Sequence, residues 1–523
     1  MTMRAIAVVL ACLGAVTLGG CVIYLNPLCN DQIVNGDETG IDCGGKCSTK
    51  CEIGEGCRTS ADCDDSDCMG GVCTPKQCDD GKKDGDETDV DCGGKTCRAC
   101  SGGRTCVDPT DCFGSCSKMP GAMTGTCSVL TVSFAPETRY FSGFKAYALL
   151  GGDLKGEGHT DLAVINEYGS SVGVFVNDFS TGAFNRVNSD SKPKDEPDNR
   201  ALNFGPTGAY PTGGGIADFN GDGHLDVVTA DYHGYSVTIL LNDGMGKLNL
   251  KPPVSYPTDG VSETSNLAVG DLNKDGIPDV IATNPLRSSI SVFLGRADGT
   301  LTPAVHLPVG VMGGAHPFSL AIADFDGDGN NDVAVADDTS GTLRVRLGHG
   351  DGTFEPEVPY NIGGTQSFVV IASDVNLDHK VDLVVADRGS DTVSVLLGHG
   401  DGTFKKAIVA SVVPTTVTFP GKGRPWFGPY AVAVADINKD GVPDIVTPNF
   451  LDDSVSVLLG IGNGKFEPAV EYPYGAPTDP NFMFTTPYGI VAADFNGDGK
   501  IDFATANAGS DDLTVRLNIG QQH

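Results

Sequence analysis

The feature that most constrains this chain is a nine-residue acidic loop that recurs seven times between residues 153 and 502. The clearest copy, D-F-N-G-D-G-H-L-D at residues 218–226, has oxygen-bearing side chains at positions 1, 3, 5 and 9 and Gly at position 6. A hard cation such as Ca²⁺ takes roughly six to eight oxygen ligands, and the Gly lets the chain turn sharply around it. Position 7 needs only its backbone carbonyl, which fits the varied side chains found there. The pattern therefore predicts repeated calcium sites.

The seven copies are not equally equipped. Loop 1 has Lys155 at position 3, and loop 5 has His379 in place of the Gly, so we expect these two to bind weakly or to stay empty. The other five are complete, and the chain is predicted to bind five to seven Ca²⁺ ions. The predicted ligands are Asp153, Glu157 and Asp161 in loop 1; Asp218, Asn220, Asp222, His224 and Asp226 in loop 2; Asp271, Asn273, Asp275, Ile277 and Asp279 in loop 3; Asp324, Asp326, Asp328, Asn330 and Asp332 in loop 4; Asp374, Asn376, Asp378, Lys380 and Asp382 in loop 5; Asp436, Asn438, Asp440, Val442 and Asp444 in loop 6; and Asp494, Asn496, Asp498, Lys500 and Asp502 in loop 7.

The spacing of the loops predicts the architecture. They start 50 to 65 residues apart, too far for a helical repeat of about two dozen residues. A short apolar strand precedes each loop, and a β-branched strand ending in Asn or Asp follows it. An alternating strand, a Gly-rich turn and a further strand complete the unit. Four strands in such a unit are typical of a propeller blade. We therefore predict an all-β, seven-bladed β-propeller with small residues on its innermost strands.

The ends of the repeat region indicate how the ring closes. The last repeat lacks a fourth strand, whereas residues 134–140 lie before the first loop. Phe134 and Tyr140 have the same spacing as Phe354 and Tyr360. We therefore predict that the segment from Phe134 to Tyr140 is the outer strand of the last blade, which removes an exposed sheet edge.

These residues resemble a known family. The repeat A-D-F-N-G-D-G…D-V…V-x-V-L-L-G-x-G-x-G-x-F is similar to the FG-GAP/VCBS repeat of integrin α-chain propellers and of many secreted bacterial proteins. The resemblance extends over residues 128–523. It implies that the calcium loops join the first and second strands of each blade and that ligands bind on the opposite face. It does not specify the ligand.

The amino-terminal segment predicts export. Residues 1–20 contain one basic residue and an apolar run too short to cross a bilayer, and they end in a lipobox-like L-G-G before Cys21. We predict a lipoprotein signal peptide, lipidation of Cys21, and a place in the bacterial outer membrane, exposed at the cell surface. The alternatives are an ordinary cleaved signal followed by an unrelated Cys and, less favoured, a membrane anchor.

The cysteines define two further modules. All 18 lie at or before Cys127, and the sixteen that follow Cys21 form two copies of one pattern, in residues 21–77 and 78–127. In an exported chain this pattern predicts two disulfide-stapled modules. Zinc is the alternative, prompted by Cys97-x-x-Cys100, although no histidine accompanies these cysteines.

Charge and motifs restrict the function. The net charge of −33 disfavours nucleic acid as a partner. Calcium loops hold 22 of the 68 acidic residues, which explains much of that charge. The chain lacks H-E-x-x-H, and the two histidines at 349 and 399 occupy equivalent turns. We therefore expect a protein that is not an enzyme.

The long connections between blades suggest where a ligand binds. Three of them, residues 189–212, 411–429 and 473–487, are rich in Pro and Gly and concentrate aromatic side chains. Loops on a rigid scaffold are where binding usually occurs, although these aromatics could merely cover the channel mouth. The predicted ligand-binding residues are Arg424, Trp426, Phe427, Tyr474, Phe482 and Tyr488. We expect a monomeric surface adhesin that binds a protein or a glycan; the alternatives are a lectin-like propeller and a polysaccharide-degrading enzyme.

Overall fold

Six of the seven repeats each fold into a four-stranded antiparallel sheet whose strands pair in chain order, and the seventh repeat supplies three strands of a further such sheet. The computed structural model of the chain describes residues 131–187, 209–248, 252–260, 263–311, 314–413, 428–475 and 484–522, together with short segments at 67–69, 72–74, 105–107, 116–117, 125–127 and 202–203. In these residues the only helical element is one 3₁₀ turn, Pro285–Arg287. The prediction of an all-β, seven-bladed propeller is confirmed.

The strands of each blade run from an inner strand at the channel to an outer strand at the rim. They are Ala146–Gly152, Asp161–Asn166, Ser171–Asp178 and Ala183–Arg186 in blade 1; Pro211–Ala217, Asp226–Asp231, Ser236–Leu240 and Val254–Pro257 in blade 2; Leu267–Gly270, Asp279–Asn284, Ser289–Phe293 and Val305–Pro308 in blade 3; Pro317–Ala323, Asp332–Asp337, Thr342–Arg346 and Val358–Asn361 in blade 4; Ser367–Ser373, Asp382–Asp387, Thr392–Leu396 and Ile408–Ser411 in blade 5; Ala433–Ala435, Asp444–Asn449, Ser454–Leu458 and Val470–Pro473 in blade 6; and Pro487–Ala493, Asp502–Asn507, Asp512–Arg516 and Thr138–Phe141 in blade 7.

Short additional strands accompany the blades. Leu202–Asn203 pairs with the third strand of blade 1, and Gly460–Gly462 pairs with Lys465–Phe466 in blade 6. The chain divides into two compact units, residues 1–76 and 77–523. The first contains a hairpin of Asp67–Met69 and Val72–Thr74, and the second contains a small sheet of Thr105–Cys106, Cys116–Ser117 and Gly125–Cys127. None of the described segments is a helix of the length and apolarity that a membrane span needs.

The hydrophobic core lies between the blades. Seven clusters of buried side chains each join two neighbouring sheets, for example Phe325, Leu343 and Val385 between blades 4 and 5. Every residue of each second strand is buried. Neighbouring blades cover both faces of these strands, which explains why their sequences are nearly continuous apolar runs.

Blade 7 is built from both ends of the repeat region. Thr138–Phe141 pairs with Asp512–Arg516 and sets Tyr140 opposite Leu513, just as Tyr360 lies opposite Leu343 in blade 4. The predicted closure is therefore confirmed. The predicted single strand from Phe134 to Tyr140 is wrong in one respect, because residues 135–137 interrupt it. Thr131–Phe134 pairs with Asn518–Gln522 instead. In other blades the equivalent residues, such as Gly348 and Phe354, pair within the turn that joins the third strand to the outer strand.

Ion pairs hold the closing strand in place. Arg139 lies 3.1 Å from both Asp512 and Glu137, and Arg516 lies 2.6 Å from Glu137. Glu137 also accepts a hydrogen bond from the Gly475 N–H. Burial alone would raise the pKa of Glu137, but the Gly475 bond and the two guanidinium groups lower it below its usual value. The chain runs into this sheet at Thr131, which pairs with Gln522 on the side of the ring that carries the acidic loops.

Candidate functional site

The seven acidic loops share one hydrogen-bonded backbone. In each loop the position-1 Asp accepts a bond from the N–H of position 6, as Asp218 does from Gly223 at 2.8 Å. The residue at position 2 is buried in the core between two blades, as with Phe219 and Phe495. All seven loops join the inner strand of a blade to its second strand, on one face of the ring. We call this face the loop face.

The position-9 Asp fastens each loop to its own blade. One of its oxygens accepts the backbone N–H sixteen residues further on, from Asn242 to Asp226 at 2.7 Å in blade 2. The other oxygen accepts an N–H from the start of the loop, from Phe219 in blade 2. These carboxyl groups are buried, so they are held rigidly at the base of the loop.

Burial is the main cause that raises the pKa of these position-9 carboxyl groups. The negative charges of the neighbouring loop carboxylates raise it further. The pKa is raised to about 6 for Asp226, Asp279, Asp332 and Asp502, to about 7 for Asp382 and to about 8 for Asp444. A carboxylate in this situation is stabilised by a bound cation. The electrostatics of the loops therefore fit a cation site.

The distances between oxygen atoms in loop 4 show whether they can contact one Ca²⁺ ion. Oxygen atoms of Asp324, Asp326 and Asp332 all lie within 4.8 Å of one another. Because Ca²⁺–oxygen distances are about 2.3–2.6 Å, three oxygens at this separation can contact one ion. Loops 2, 3, 6 and 7 hold an Asn oxygen at the third position instead of a third carboxylate. The residues present thus fit Ca²⁺, although the bound ion stays a prediction.

The two atypical loops keep the backbone shape of the others. In loop 5, His379 has φ +60°, and the residue at the same position of loop 2, Gly223, has φ +86°. A side chain in this left-handed region costs roughly 1–2 kcal/mol. In loop 1, the Lys155 ammonium lies 2.6 Å from Glu157, the residue at position 5. Loop 7 has a similar ion pair, with Lys500 2.7 Å from Asp498, so the weakness of loop 1 stays a prediction.

The opposite face is organised around the mouth of the central channel. In each blade, one side chain at the start of the inner strand, or just before that strand, lies at an equivalent position. This position is always six residues before the first Asp of the acidic loop. This set, which we call the mouth layer, comprises Tyr147, Thr212, Ser265, Phe318, Phe368, Tyr430 and Tyr488. Its five aromatic members come from blades 1, 4, 5, 6 and 7. Sequence analysis singled out only Tyr488, although the constant offset from the loops was a usable signal.

The aromatic members of the mouth layer contact one another around the channel. Ring centroids are 4.5 Å apart between Phe318 and Phe368, 4.8 Å between Phe368 and Tyr430, and 4.4 Å between Tyr430 and Tyr488. The hydroxyl groups of Tyr147 and Tyr430 are hydrogen-bonded. Burial raises the pKa of Tyr488 to about 12, so its hydroxyl stays protonated.

The predicted ligand-binding residues fall into three groups. Tyr488 lies in the mouth layer. Tyr474 lies between the guanidinium groups of Arg139 and Arg516, and its hydroxyl is 2.6 Å from Thr505, so it packs within the closure of blade 7. The other four predicted residues, Arg424, Trp426, Phe427 and Phe482, lie outside the described residues, as do Cys21 and most of the other cysteines.

Comparison with known proteins identifies the repeats. The model of the FG-GAP-like repeat matches residues 218–282, 271–335, 324–385 and 374–447, and each match begins at the first Asp of an acidic loop. No curated protein matches the sequence.

Solved propellers resemble the fold at low identity. Virginiamycin B lyase from Staphylococcus aureus is 12% identical, with 74% of this chain and 99% of that chain covered and a TM-score of 0.46. A lectin from Agrocybe aegerita is 19% identical, with 73% and 87% covered and a TM-score of 0.43. A periplasmic gluconolactonase from Pseudomonas aeruginosa is 17% identical, with 64% and 87% covered and a TM-score of 0.44. Such values describe the fold alone.

One sequence-based expectation needs correction. We expected a protein that is not an enzyme because the H-E-x-x-H motif is missing. The similar propellers include a lyase and a gluconolactonase, so a propeller of this kind is compatible with catalysis and the expectation was wrong. A missing motif says little here because catalytic residues of a ring come from separate blades. Residues 218–447 are four FG-GAP-like repeats, and they form the middle of a seven-bladed β-propeller.

Proposed function

We propose that this protein is an exported binding module whose propeller, stabilised by calcium, captures a protein or glycan ligand at the cell surface. The observation that carries the proposal is the chemistry of the face opposite the loop face. That face combines the mouth layer with exposed apolar side chains, including Tyr168, Leu286, Val311 and Leu451, which are 63%, 58%, 79% and 48% exposed. Exposed apolar groups around an aromatic cluster are typical of an interaction surface.

Calcium has a structural role in this proposal. Five to seven ions would neutralise the clustered carboxylates of the loop face and fix the turns that connect inner to second strands. Because calcium binds only the folded loops, it raises the free energy of unfolding of the ring.

We propose that lipidated Cys21 tethers the protein to the outer membrane. The strongly acidic surface disfavours nucleic acid, and a closed ring leaves no need for a second copy. We therefore propose a monomer, and we keep Arg424, Trp426, Phe427 and Phe482 as predicted ligand contacts.

The test uses the full chain carrying Cys21→Ser, loaded with calcium, on a glycan array and on whole cells. Leu286→Glu and Leu451→Glu, on the proposed binding face, should weaken capture at least about tenfold, which corresponds to about 1.4 kcal/mol. Met245→Glu is the matched control, because Met245 is 59% exposed on the loop face. Loss of binding only in the Met245 variant would assign the ligand to the other face and refute the proposal.

A second candidate, an enzyme that cleaves a polysaccharide, is favoured by one observation. Asp452 lies two residues after Phe450, whose ring lies 4.8 Å from Tyr488 in the mouth layer. Burial, and then the hydrogen bond and charge of Glu471, raises the pKa of Asp452 to about 7. Two carboxyl groups that share a proton can act as acid and base. Release of new sugar ends by the full chain, abolished by Asp452→Asn, would favour this candidate.

A further inference from the structure

An arginine side chain lies between aromatic rings beside the mouth layer. Arg388 follows the second strand of blade 5, Asp382–Asp387, and its backbone N–H donates to the Gln366 carbonyl at 3.1 Å. Its guanidinium carbon lies 5.1 Å from the ring centre of Phe368 and 5.0 Å from that of Phe450. Phe368 belongs to the mouth layer, and Phe450 follows the second strand of blade 6. Two rings from neighbouring blades thus hold this cation at the rim of the channel mouth.

The guanidinium group of Arg388 keeps its hydrogen-bond donors. Contacts with the faces of aromatic rings attract its positive charge but use none of its five N–H donors. Within the described residues, this group forms no hydrogen bond and no ion pair. The side chain is partly exposed, and its nitrogens do not belong to the buried polar atoms that lack a partner. A ligand at the channel mouth can therefore reach them.

Two other basic groups on this face have acidic partners. The Lys145 ammonium lies 2.5 Å from Glu167, and the His316 ring lies 2.7 Å from Asp338. A cation that is partly removed from water without an anion costs free energy, which the aromatic rings beside Arg388 offset only in part. An anionic group of a ligand would supply the missing partner.

The chemistry of Arg388 favours a carboxylate as that partner. A planar guanidinium group offers parallel N–H donors that match the two oxygens of a carboxylate. Tyr488 offers a further donor, because its hydroxyl forms no hydrogen bond in the part of the chain that the structure describes. Burial raises the pKa of Tyr488 and the charge of Arg388 opposes that rise, so the two groups are near each other.

The surroundings of Arg388 favour a polypeptide as the carrier of the carboxylate. A Cβ placed on Gly428 would lie 3.5 Å from Arg388 Cγ and 3.6 Å from Leu451 Cδ1, so the two side chains flank the same point. Leu451 is one of the exposed apolar side chains of this face. An acidic sugar would surround the carboxylate with hydroxyl groups that need polar partners, whereas a peptide brings an apolar neighbour that packs on Leu451. Arginine with apolar neighbours is also typical of the residues that dominate protein interfaces.

We propose that Arg388 binds a carboxylate of a polypeptide partner, carried by an acidic side chain or by the carboxyl terminus and followed or preceded by an apolar residue. This inference rests on the proposed function and specifies its ligand as a protein. The guanidinium group donates two hydrogen bonds to the carboxylate, Phe368 and Phe450 keep the group in place, and the apolar neighbour packs on Leu451.

The acidic loops oppose this contact only weakly. They hold 22 of the acidic residues that give the chain its net charge of −33, and they lie on the loop face. An inner strand of seven residues, such as Ser367–Ser373, separates the two faces and spans roughly 20 Å. This length exceeds the Debye length of about 8 Å at physiological ionic strength.

Selection from a library of random peptides on the full, calcium-loaded chain carrying Cys21→Ser tests the proposal. The selected peptides should share a carboxylate beside an apolar residue. Replacing that carboxylate by its amide should weaken binding at least about tenfold in calorimetry, as expected for a hydrogen bond to a charged group. Arg388→Gln should bind the acid form as weakly as the amide form. Arg287→Gln is the matched control, because Arg287 lies in the corresponding turn of blade 3 and is 3.6 Å from Asp259, and it should discriminate as the natural chain does.

The outcomes separate this inference from the proposed function. A purely structural role of Arg388 would weaken both peptide forms equally, so equal losses overturn the inference. It is also overturned if no peptide is selected, if acid and amide forms bind the natural chain alike, or if glycans with uronic acids are captured in place of peptides. In each of those cases the proposed function still stands if Leu286→Glu weakens capture, and it fails if capture is unchanged.

A second variant keeps the inference testable if Arg388→Gln misfolds. Arg388→Lys retains the positive charge near the rings but loses the planar pair of donors. Part of the discrimination between acid and amide should therefore be lost in this variant. Discrimination as strong as in the natural chain would contradict the two-bond contact and overturn the inference.

Discussion

Replacing Asp387 by Asn should stabilise the ring at neutral pH. Asp387 ends the second strand of blade 5, is fully buried, and accepts hydrogen bonds from Ser367 and Ser394. Blade 6 has Asn449 at the equivalent place, where its amide donates to Ser454 and Ser456. The neighbouring blade therefore shows that an amide is accommodated beside hydroxyl groups at the positions of Thr392 and Ser394, although Pro429 replaces Ser367 there.

The magnitude follows from the pKa. Burial raises the pKa of Asp387 from 3.8 to about 6. Because the pKa of Asp387 is higher in the folded state than in the unfolded state, this carboxyl group does not reduce the free energy of unfolding below about pH 4. The cost grows as the pH rises through 4 to 6 and reaches about 3 kcal/mol at pH 7.5. Asn avoids this cost but loses hydrogen bonds to a charged acceptor, so we expect a net gain of about 2 kcal/mol.

Urea unfolding of the full chain in saturating calcium, at pH 4.5, 6 and 7.5, tests this expectation. The variant and the natural chain should be nearly equal at pH 4.5 and diverge towards pH 7.5. Asn449→Asp, the reverse change, should destabilise at pH 7.5 and approach the natural chain at pH 4.5. A stability difference for Asp387→Asn that is negative, or that does not change with pH, would refute the reasoning.

The remaining predictions concern other blades. Asp337→Asn should lower the free energy of unfolding above pH 5 in urea experiments, because hydrogen bonds from Ser340 and its neighbours outweigh burial and lower the pKa of this Asp. Chelation should lower the thermal midpoint, and Asp332→Asn should reduce the calcium-dependent shift more than Asp153→Asn, since Lys155 already weakens loop 1. His379→Gly should add about 1 kcal/mol to the free energy of unfolding by relieving the left-handed backbone. Deleting residues 131–141 should expose the edge of blade 7 and cause aggregation in light scattering; a monomer of equal stability would contradict that role.

Most of the fold could be predicted because its signals are local and repeated. The acidic loop fixes one turn in each blade, and its regular spacing then counts the blades. Even the closure of blade 7 could be predicted, since Tyr140 keeps the spacing to a preceding Phe that Tyr360 shows in blade 4.

The channel mouth could not be predicted in the same way. Its aromatic residues occur one per blade, so Tyr147 and Tyr430 are far apart in sequence and meet only when the ring closes. The constant offset from the loops marks these positions in the sequence, but it does not show which of them meet across the channel. Tyr474 lies in a long connection, yet its ring faces the guanidinium groups of Arg139 and Arg516, which its position in the sequence does not reveal. Its role as a ligand contact stays a prediction.

The two-ended construction of blade 7 determines how the molecule responds to tension. A pull on the chain at Thr131 acts along the strand Thr131–Phe134. The hydrogen bonds between this strand and Asn518–Gln522 are therefore strained together rather than one after another. The ion pairs of Glu137 with Arg139 and Arg516 lie in the same path. Resistance to such a pull depends on the rate at which this sheet opens under force, not on the equilibrium stability of the whole ring. If the proposed tether and ligand pull on the molecule in opposite directions, the force enters the ring through blade 7.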